Sequence, residues 1–442
     1  MKLKNDYIWH PCTQMKDHED FPLVMADRAE GVYIYDEEGK AYMDIISSWW
    51  CTLLGHNHPR INQAVKRQLD KMEHVMFAGF THRPAEELCR RLTGLLPKGL
   101  EKFFFVDNGS AAVECAMKMS FQYHMQTGAP KKQRFMTIDN GYHGETLGAL
   151  AMGGMDDYSA VYRPLLFSSI HVDGPDCYRC PYGKDRASCG AECIEAAEKA
   201  LEQYGEETTA FLIEPMFQGA AGMRIYSPIY LKKLRQLCDQ HQVHLIADEI
   251  AAGYGRTGTF FACEHAGISP DFICLSKGLT GGYLPMAMVV TTPDIYQAFY
   301  ADFSEKKAFV HSTTYSGNPL ACAAAVEVLN LLEEEDTLAN TEAGYLKQQL
   351  AGALAGHPHV GEIRTIGLIN AIELVENRET KKAFDPDLRI GYQVYKEAMK
   401  RGLLLRPMGD VPYFNPPLNI RRAEIDRAVS ICRESIEAVL GK

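Results

Sequence analysis

Through the middle of the chain, short apolar runs alternate with longer amphipathic stretches. Residues 102–106, 210–213, 243–247 and 272–275 read as strands buried on both faces, because apolar positions run on without alternation. Residues 111–123, 191–203 and 228–240 carry apolar positions at helical spacing between them. Strands separated by helices predict an α/β unit with a mainly parallel sheet covered on both sides, and such sheets gather ligands at the carboxyl ends of their strands. After about residue 320 the texture changes. A helix is expected over 319–334, strands over 368–374 and 403–405, and a last amphipathic helix over 423–440. This predicts a smaller α+β domain at 321–442, joined by residues 1–60, beside a large domain at 61–320.

Composition narrows the class without naming a function. The 442 residues are 46% hydrophobic and 23% charged, which suits a folded chain with more than one core. The net charge of -11 offers no basic field for nucleic acid or an anionic membrane surface. The first seven residues have two lysines but no apolar stretch behind them, so no secretory signal is expected, and no uncharged run is long enough to predict a membrane span. Thirteen cysteines fit reduced thiols in a cytoplasmic protein better than a disulfide framework.

The candidate chemistry begins at Leu245-Ile246-Ala247-Asp248-Glu249. A carboxylate ending a buried strand is costly unless a cation meets it. Twenty-nine residues on, the next strand ends in Ser276-Lys277-Gly278, followed by Gly281-Gly282. Asp248 and Lys277 together suit an aldehyde cofactor with a pyridine ring. Desolvation makes a neutral amine accessible for condensation with the aldehyde, and the carboxylate keeps the ring nitrogen protonated, so that the ring withdraws electrons. Taken singly, either residue reads as an ordinary solvated charge. Asp248 and Glu249 are adjacent on a strand and face opposite ways, so they do not form an acid/base pair. Asp107-Asn108-Gly109-Ser110 closes another strand and opens a helix, which suits either a plain cap or a phosphate seat. Gly253-Tyr254-Gly255-Arg256-Thr257-Gly258 matches a dinucleotide fingerprint but opens no convincing helix, so a nicotinamide site is not expected.

The combination of Asp248-Glu249-Ile250, the glycine-rich run 253–258, Ser276-Lys277-Gly278 and Gly281-Gly282 resembles the class III aminotransferases over nearly the whole chain. The resemblance implies the fold type I architecture of enzymes dependent on pyridoxal 5'-phosphate (PLP), with a seven-stranded sheet. It also implies small-molecule substrates and homodimers that share active sites. By that match Lys277 is the cofactor-linking lysine, Asp248 the partner of the ring nitrogen, and Gly109 and Ser110 the phosphate loop. Tyr142 is the stacking aromatic, and Thr314 the threonine reaching the partner subunit's phosphate. Trp9-His10-Pro11-Cys12, Trp49-Trp50 and Leu405-Arg406-Pro407 resemble one branch of the class more narrowly. They imply that Trp50 lines the substrate channel and that Arg406 binds a substrate carboxylate through its fork of donors, with Tyr413 and Gly278 also at the substrate. Cys12 stands where many members of that branch have tyrosine, which leaves the amino donor open. A class III enzyme acting on an ω-amino acid such as 4-aminobutyrate shares the cofactor residues, but the tryptophan segments count against it.

Two clusters suggest metal more weakly. Cys177, Cys180, Cys189 and Cys193 suit zinc or an iron–sulfur cluster only in part, since the second pair is spaced by three residues, and no metal is the preferred reading. His56 and His58 have no carboxylate near them in sequence and read as a structural loop.

Overall fold

The computed structural model describes residues 7–442; the reading of the extreme N-terminus, residues 1–6, lies outside them. Seven strands form the central sheet: Lys102–Val106 (β1), Arg134–Ile138 (β2), Ile170–Val172 (β3), Thr208–Ile213 (β4), His244–Asp248 (β5), Phe272–Leu275 (β6) and Ala287–Thr291 (β7). Their order across the sheet is β1-β7-β6-β5-β4-β2-β3. Neighbours are parallel except at β7, which runs antiparallel to both β6 and β1.

Alternation along each strand separates the two faces. Leu212, Ile246, Cys274 and Val289 pack with Ala112, Val113 and Ala116 of the helix Gly109–Gln126. Phe211, Ile213, Leu245 and Ala247 face the other way, onto Ala197 and Leu201 of Glu195–Tyr204 and Leu231 and Leu234 of Pro228–Gln240. This double cover explains why the strand sequences read as continuous apolar runs. One helix starts later than its periodicity predicts. Ala191 takes a left-handed φ of 55°, and a 3-10 turn at Glu192–Ile194 precedes the α-helix from Glu195.

Beyond the helix Pro319–Glu334, Val360–Ile366 pairs antiparallel with Ile369–Leu374, which pairs in turn with Tyr413–Phe414. The N-terminal strands Ala26–Glu30, Tyr33–Asp36 and Ala41–Asp44 form a sheet with Leu403–Leu404. Segments from both chain ends are therefore hydrogen-bonded into one sheet. Among the described residues no helix is long and apolar enough to cross a membrane.

Candidate active site

The carboxyl ends of β1, β2, β4, β5 and β6 converge on a cavity of about 470 Å³ lined by Gly109, Ser110, Tyr142, Glu214, Asp248 and Lys277, with Trp50 from the N-terminal segment. Lys277 follows β6 with a left-handed φ of 44°. Its Nζ lies 4.3 Å from the centre of the Trp50 ring and makes no hydrogen bond among the described residues. Burial pushes its pKa down; the neighbouring Cys51, Asp248 and Glu214 oppose that shift, and Arg256 adds to it. The amine is thus biased toward its neutral, nucleophilic form.

Asp248 is buried at the end of β5. One carboxylate oxygen meets His143 Nδ1 at 2.8 Å and the other accepts from the Ile250 N–H at 3.1 Å. His143 Nε2 is buried with no partner among the described residues. Glu249 points away, accepting from the Ala262 and Cys263 N–H groups, as adjacent strand positions require. Asn108 caps the helix Gly109–Gln126 by accepting from the Ala111 N–H. The N–H groups of Gly109 and Ser110 remain without acceptors among the described residues, at the positive end of an 18-residue helix. Gly144 has to lack a side chain, because a Cβ there would strike Ser110.

Tyr142 donates its hydroxyl to Glu145 at 3.0 Å, and its backbone N–H donates to Glu214 at 3.1 Å. Glu214 also accepts from the Gly219 N–H at 2.9 Å, and burial pushes its pKa up to about 7. Trp50 hangs from an unusual backbone. Ser47, Ser48, Trp49 and Trp50 have φ of 50°, 43°, 65° and 70°, one left-handed turn of four non-glycine residues. Such a turn costs about 1–2 kcal/mol per residue and persists only where its surroundings impose it.

A second cavity, of about 750 Å³, adjoins the first through Cys12 and Trp49 and reaches Arg406. The Arg406 guanidinium lies 4.7 Å from the Trp49 ring centre and donates to the Cys12 carbonyl at 2.8 Å. Tyr413 lies behind the lining, fully buried, where its hydroxyl accepts from Trp50 Nε1 at 2.9 Å. Gly278 is also buried outside the lining, packed against Tyr254. Thr314 is exposed and away from the cavity within this chain. One reading needs correction: His56 does have a carboxylate, Asp44 Oδ2 at 2.9 Å, brought in by the fold from twelve residues upstream. Among the described residues no group of three or more side chains is arranged to hold a metal ion.

His143, Glu145 and Glu214 were not singled out from sequence. Glu214 follows an apolar strand directly, the same signal that marked Asp248, and was open to the same argument. These features together — an unpartnered lysine amine, a buried carboxylate with its histidine, and free helix-terminal N–H groups — fit a cofactor carrying an aldehyde, a pyridine nitrogen and a phosphate.

The fold and site are those of a fold type I PLP-dependent transferase. Residues 14–436 match the class III aminotransferase family, and the chain belongs to it. The adenosylmethionine-8-amino-7-oxononanoate aminotransferase of Geobacter sulfurreducens is 44% identical over 98% of this chain and 96% of its own length. The crystal structure of the enzyme of that name from Methanocaldococcus jannaschii superposes with a TM-score of 0.92 at 36% identity, covering 98% of this chain and 97% of that one. An omega transaminase from Pseudomonas jessenii, in complex with PMP, gives a TM-score of 0.92 at 30% identity over 98% and 96% of the two chains.

Proposed function

We propose that this enzyme aminates 8-amino-7-oxononanoate to 7,8-diaminononanoate, a step of biotin synthesis, with S-adenosylmethionine as the amino donor. The observation that carries the reading is Arg406, a guanidinium set beyond a tryptophan-walled cavity from the Lys277 amine. That layout suits a long apolar chain with a keto group at one end and a carboxylate at the other. It agrees with the activity for which the relatives are named.

Bound PLP supplies an electron sink that labilises a proton on the substrate carbon. Lys277 would hold the cofactor through its amine and would carry that proton. Asp248, oriented by His143, would keep the ring nitrogen protonated. Gly109 and Ser110 would hold the phosphate, Tyr142 would hold the ring, and Trp50 excludes water above the amine. Tyr413 acts on substrate through the Trp50 ring that it holds, and Gly278 by close packing against Tyr254 next to Lys277 in sequence. Thr314 serves the partner subunit's phosphate in a homodimer. The exposed apolar residues Val310 and Tyr315, close to it in sequence, support that assembly. All thirteen cysteines are free thiols, which supports a cytoplasmic setting. We take the described part of residues 1–60, together with 321–442, as one small domain, on the strength of their shared sheet.

The test is to follow the cofactor absorbance of the purified protein with S-adenosylmethionine, lysine or 4-aminobutyrate added separately, and then to assay for the diamine. Conversion by S-adenosylmethionine alone supports the reading. Conversion by lysine alone corrects the donor, and conversion by 4-aminobutyrate without diamine formation overturns the substrate.

A further inference from the structure

Asp44 is a buried carboxylate that the proposed chemistry does not use. It ends the strand Ala41–Asp44 and is fully buried, a costly place for a charge unless several donors meet it. Here four do. Oδ1 accepts from the Ile46 N–H at 3.3 Å and the Ser48 N–H at 3.1 Å. Oδ2 accepts from the Ser48 hydroxyl at 2.6 Å and meets His56 Nε2 at 2.9 Å. An aspartate that takes N–H groups two and four residues on folds the chain into a turn about its own side chain. The turn folded here is the left-handed one, Ser47–Trp50.

Other groups hold the turn at its ends. Ser47 Oγ donates to the Asn415 carbonyl at 2.8 Å, and Arg256 donates to the Trp50 carbonyl at 3.2 Å. Asp44 takes both donors of Ser48, in the middle, where φ is 43°. His56 is itself fixed by its backbone, which exchanges hydrogen bonds with Gly31 at 2.7 and 3.1 Å. The carboxylate is thus backed by a donor that has little freedom to leave. Register carries the effect across the site. Asp44 pairs with Leu404 of the neighbouring strand, two residues before Arg406. Trp49 lies against the Arg406 guanidinium and Trp50 against the Lys277 amine. A relaxed right-handed backbone at 47–50 would redirect both rings.

We propose that Asp44, backed by His56, is a positioning residue: it stabilises the left-handed Ser47–Trp50 turn and so keeps Trp49 on Arg406 and Trp50 over Lys277. This role rests on reading the cavity as the transamination site. Four donors on two oxygens explain the residue type, since asparagine has one acceptor oxygen and an NH2 that would face donors. They explain the histidine too, whose ring N–H completes the set on the oxygen that also takes the Ser48 hydroxyl.

Asp44→Asn in the holoenzyme is expected to lower kcat/KM for the keto substrate by ~10- to 100-fold, the scale of a misplaced active-site group. It is also expected to change the near-ultraviolet circular dichroism of the packed Trp50 and Tyr413. His56→Leu, which removes one donor, should lower the same ratio by ~10-fold, whereas His56→Gln, whose amide can donate to the same oxygen, should stay within about threefold of wild type. Where the asparagine variant does not accumulate folded, the two His56 variants decide by the same readouts. Wild-type kcat/KM in folded Asp44→Asn or His56→Leu overturns the proposal. So does a loss with native dichroism, or a glutamine variant as impaired as the leucine one. Reductive labelling of Lys277 separates the two readings: lost labelling in the wild type strikes at the site itself, and retained labelling with unchanged kinetics in the variants strikes only at the role of Asp44.

Discussion

Two lysines sit at opposite ends of the same sheet, Lys132 buried and Lys277 half-buried, and they are satisfied in opposite ways. Lys132, just before β2, donates to the carbonyls of Gly205 at 2.7 Å, Thr208 at 3.1 Å and His241 at 3.1 Å. Lys277, just after β6, has no hydrogen bond among the described residues and meets the face of Trp50. Burial lowers the pKa of both, so the shift alone does not tell a structural lysine from a reactive one. The difference lies in the partners. Three carbonyls occupy one ammonium and pin three chain segments, whereas an aromatic face and a cavity leave the other amine free to react. The histidines follow the same division: His124 and His244 stack at 4.6 Å near Lys132 with partners of their own, while His143 Nε2, on the cavity of Lys277, has none among the described residues.

The contrast breaks most sharply by substitution. Lys277→Ala is expected to cost at least ~10²–10⁴-fold in turnover with the fold intact, the range of a lost proton carrier. Lys132→Met is expected to leave turnover of the folded enzyme near wild type and to lower stability by about 2–3 kcal/mol, since three buried carbonyls lose their donor. Denaturant unfolding and steady-state kinetics on both variants check this, and a Lys132→Met enzyme that is stable but inactive would erase the distinction. Next in size, Arg406→Ala should raise KM for the carboxylate substrate by ~10- to 100-fold, the worth of a charge-assisted contact, with a smaller change in kcat.

The smallest effect is on pH dependence. Burial holds His124 and His244 near pKa 4 against an ordinary 6.5. Between those values the unfolded chain binds more protons than the folded one. Stability is thus fully present above about pH 6.5 and falls as the pH drops toward 4, by up to ~1.4 kcal/mol per pH unit for each histidine. His244→Phe should roughly halve that slope in acid unfolding curves. Lys132 also disfavours both protonated rings and Arg235 that of His244, while Asp271 favours both.

Sequence carried the sheet well, because both of its faces are buried. β1 and β6, together with Pro228–Gln240 and Pro319–Glu334, stand where the apolar pattern put them. Asp248 and Lys277 were readable as charges at strand ends. The turn at Ser47–Trp50 was not readable. It has no glycine to announce a left-handed φ, and its conformation comes from Asp44, Arg256 and Asn415, two of them more than 200 residues away in sequence. Arg256 sat inside a glycine pattern rejected for another cofactor, and nothing local marked it as buried. His56 was judged by its neighbours in sequence, but its carboxylate partner arrives through the strand pairing.

The most direct measurement is borohydride reduction of the purified holoprotein followed by peptide mapping. The account predicts a pyridoxyl mass on the peptide containing Lys277 and on no other. A label on a different lysine, or a colourless protein that takes up no cofactor, would contradict it.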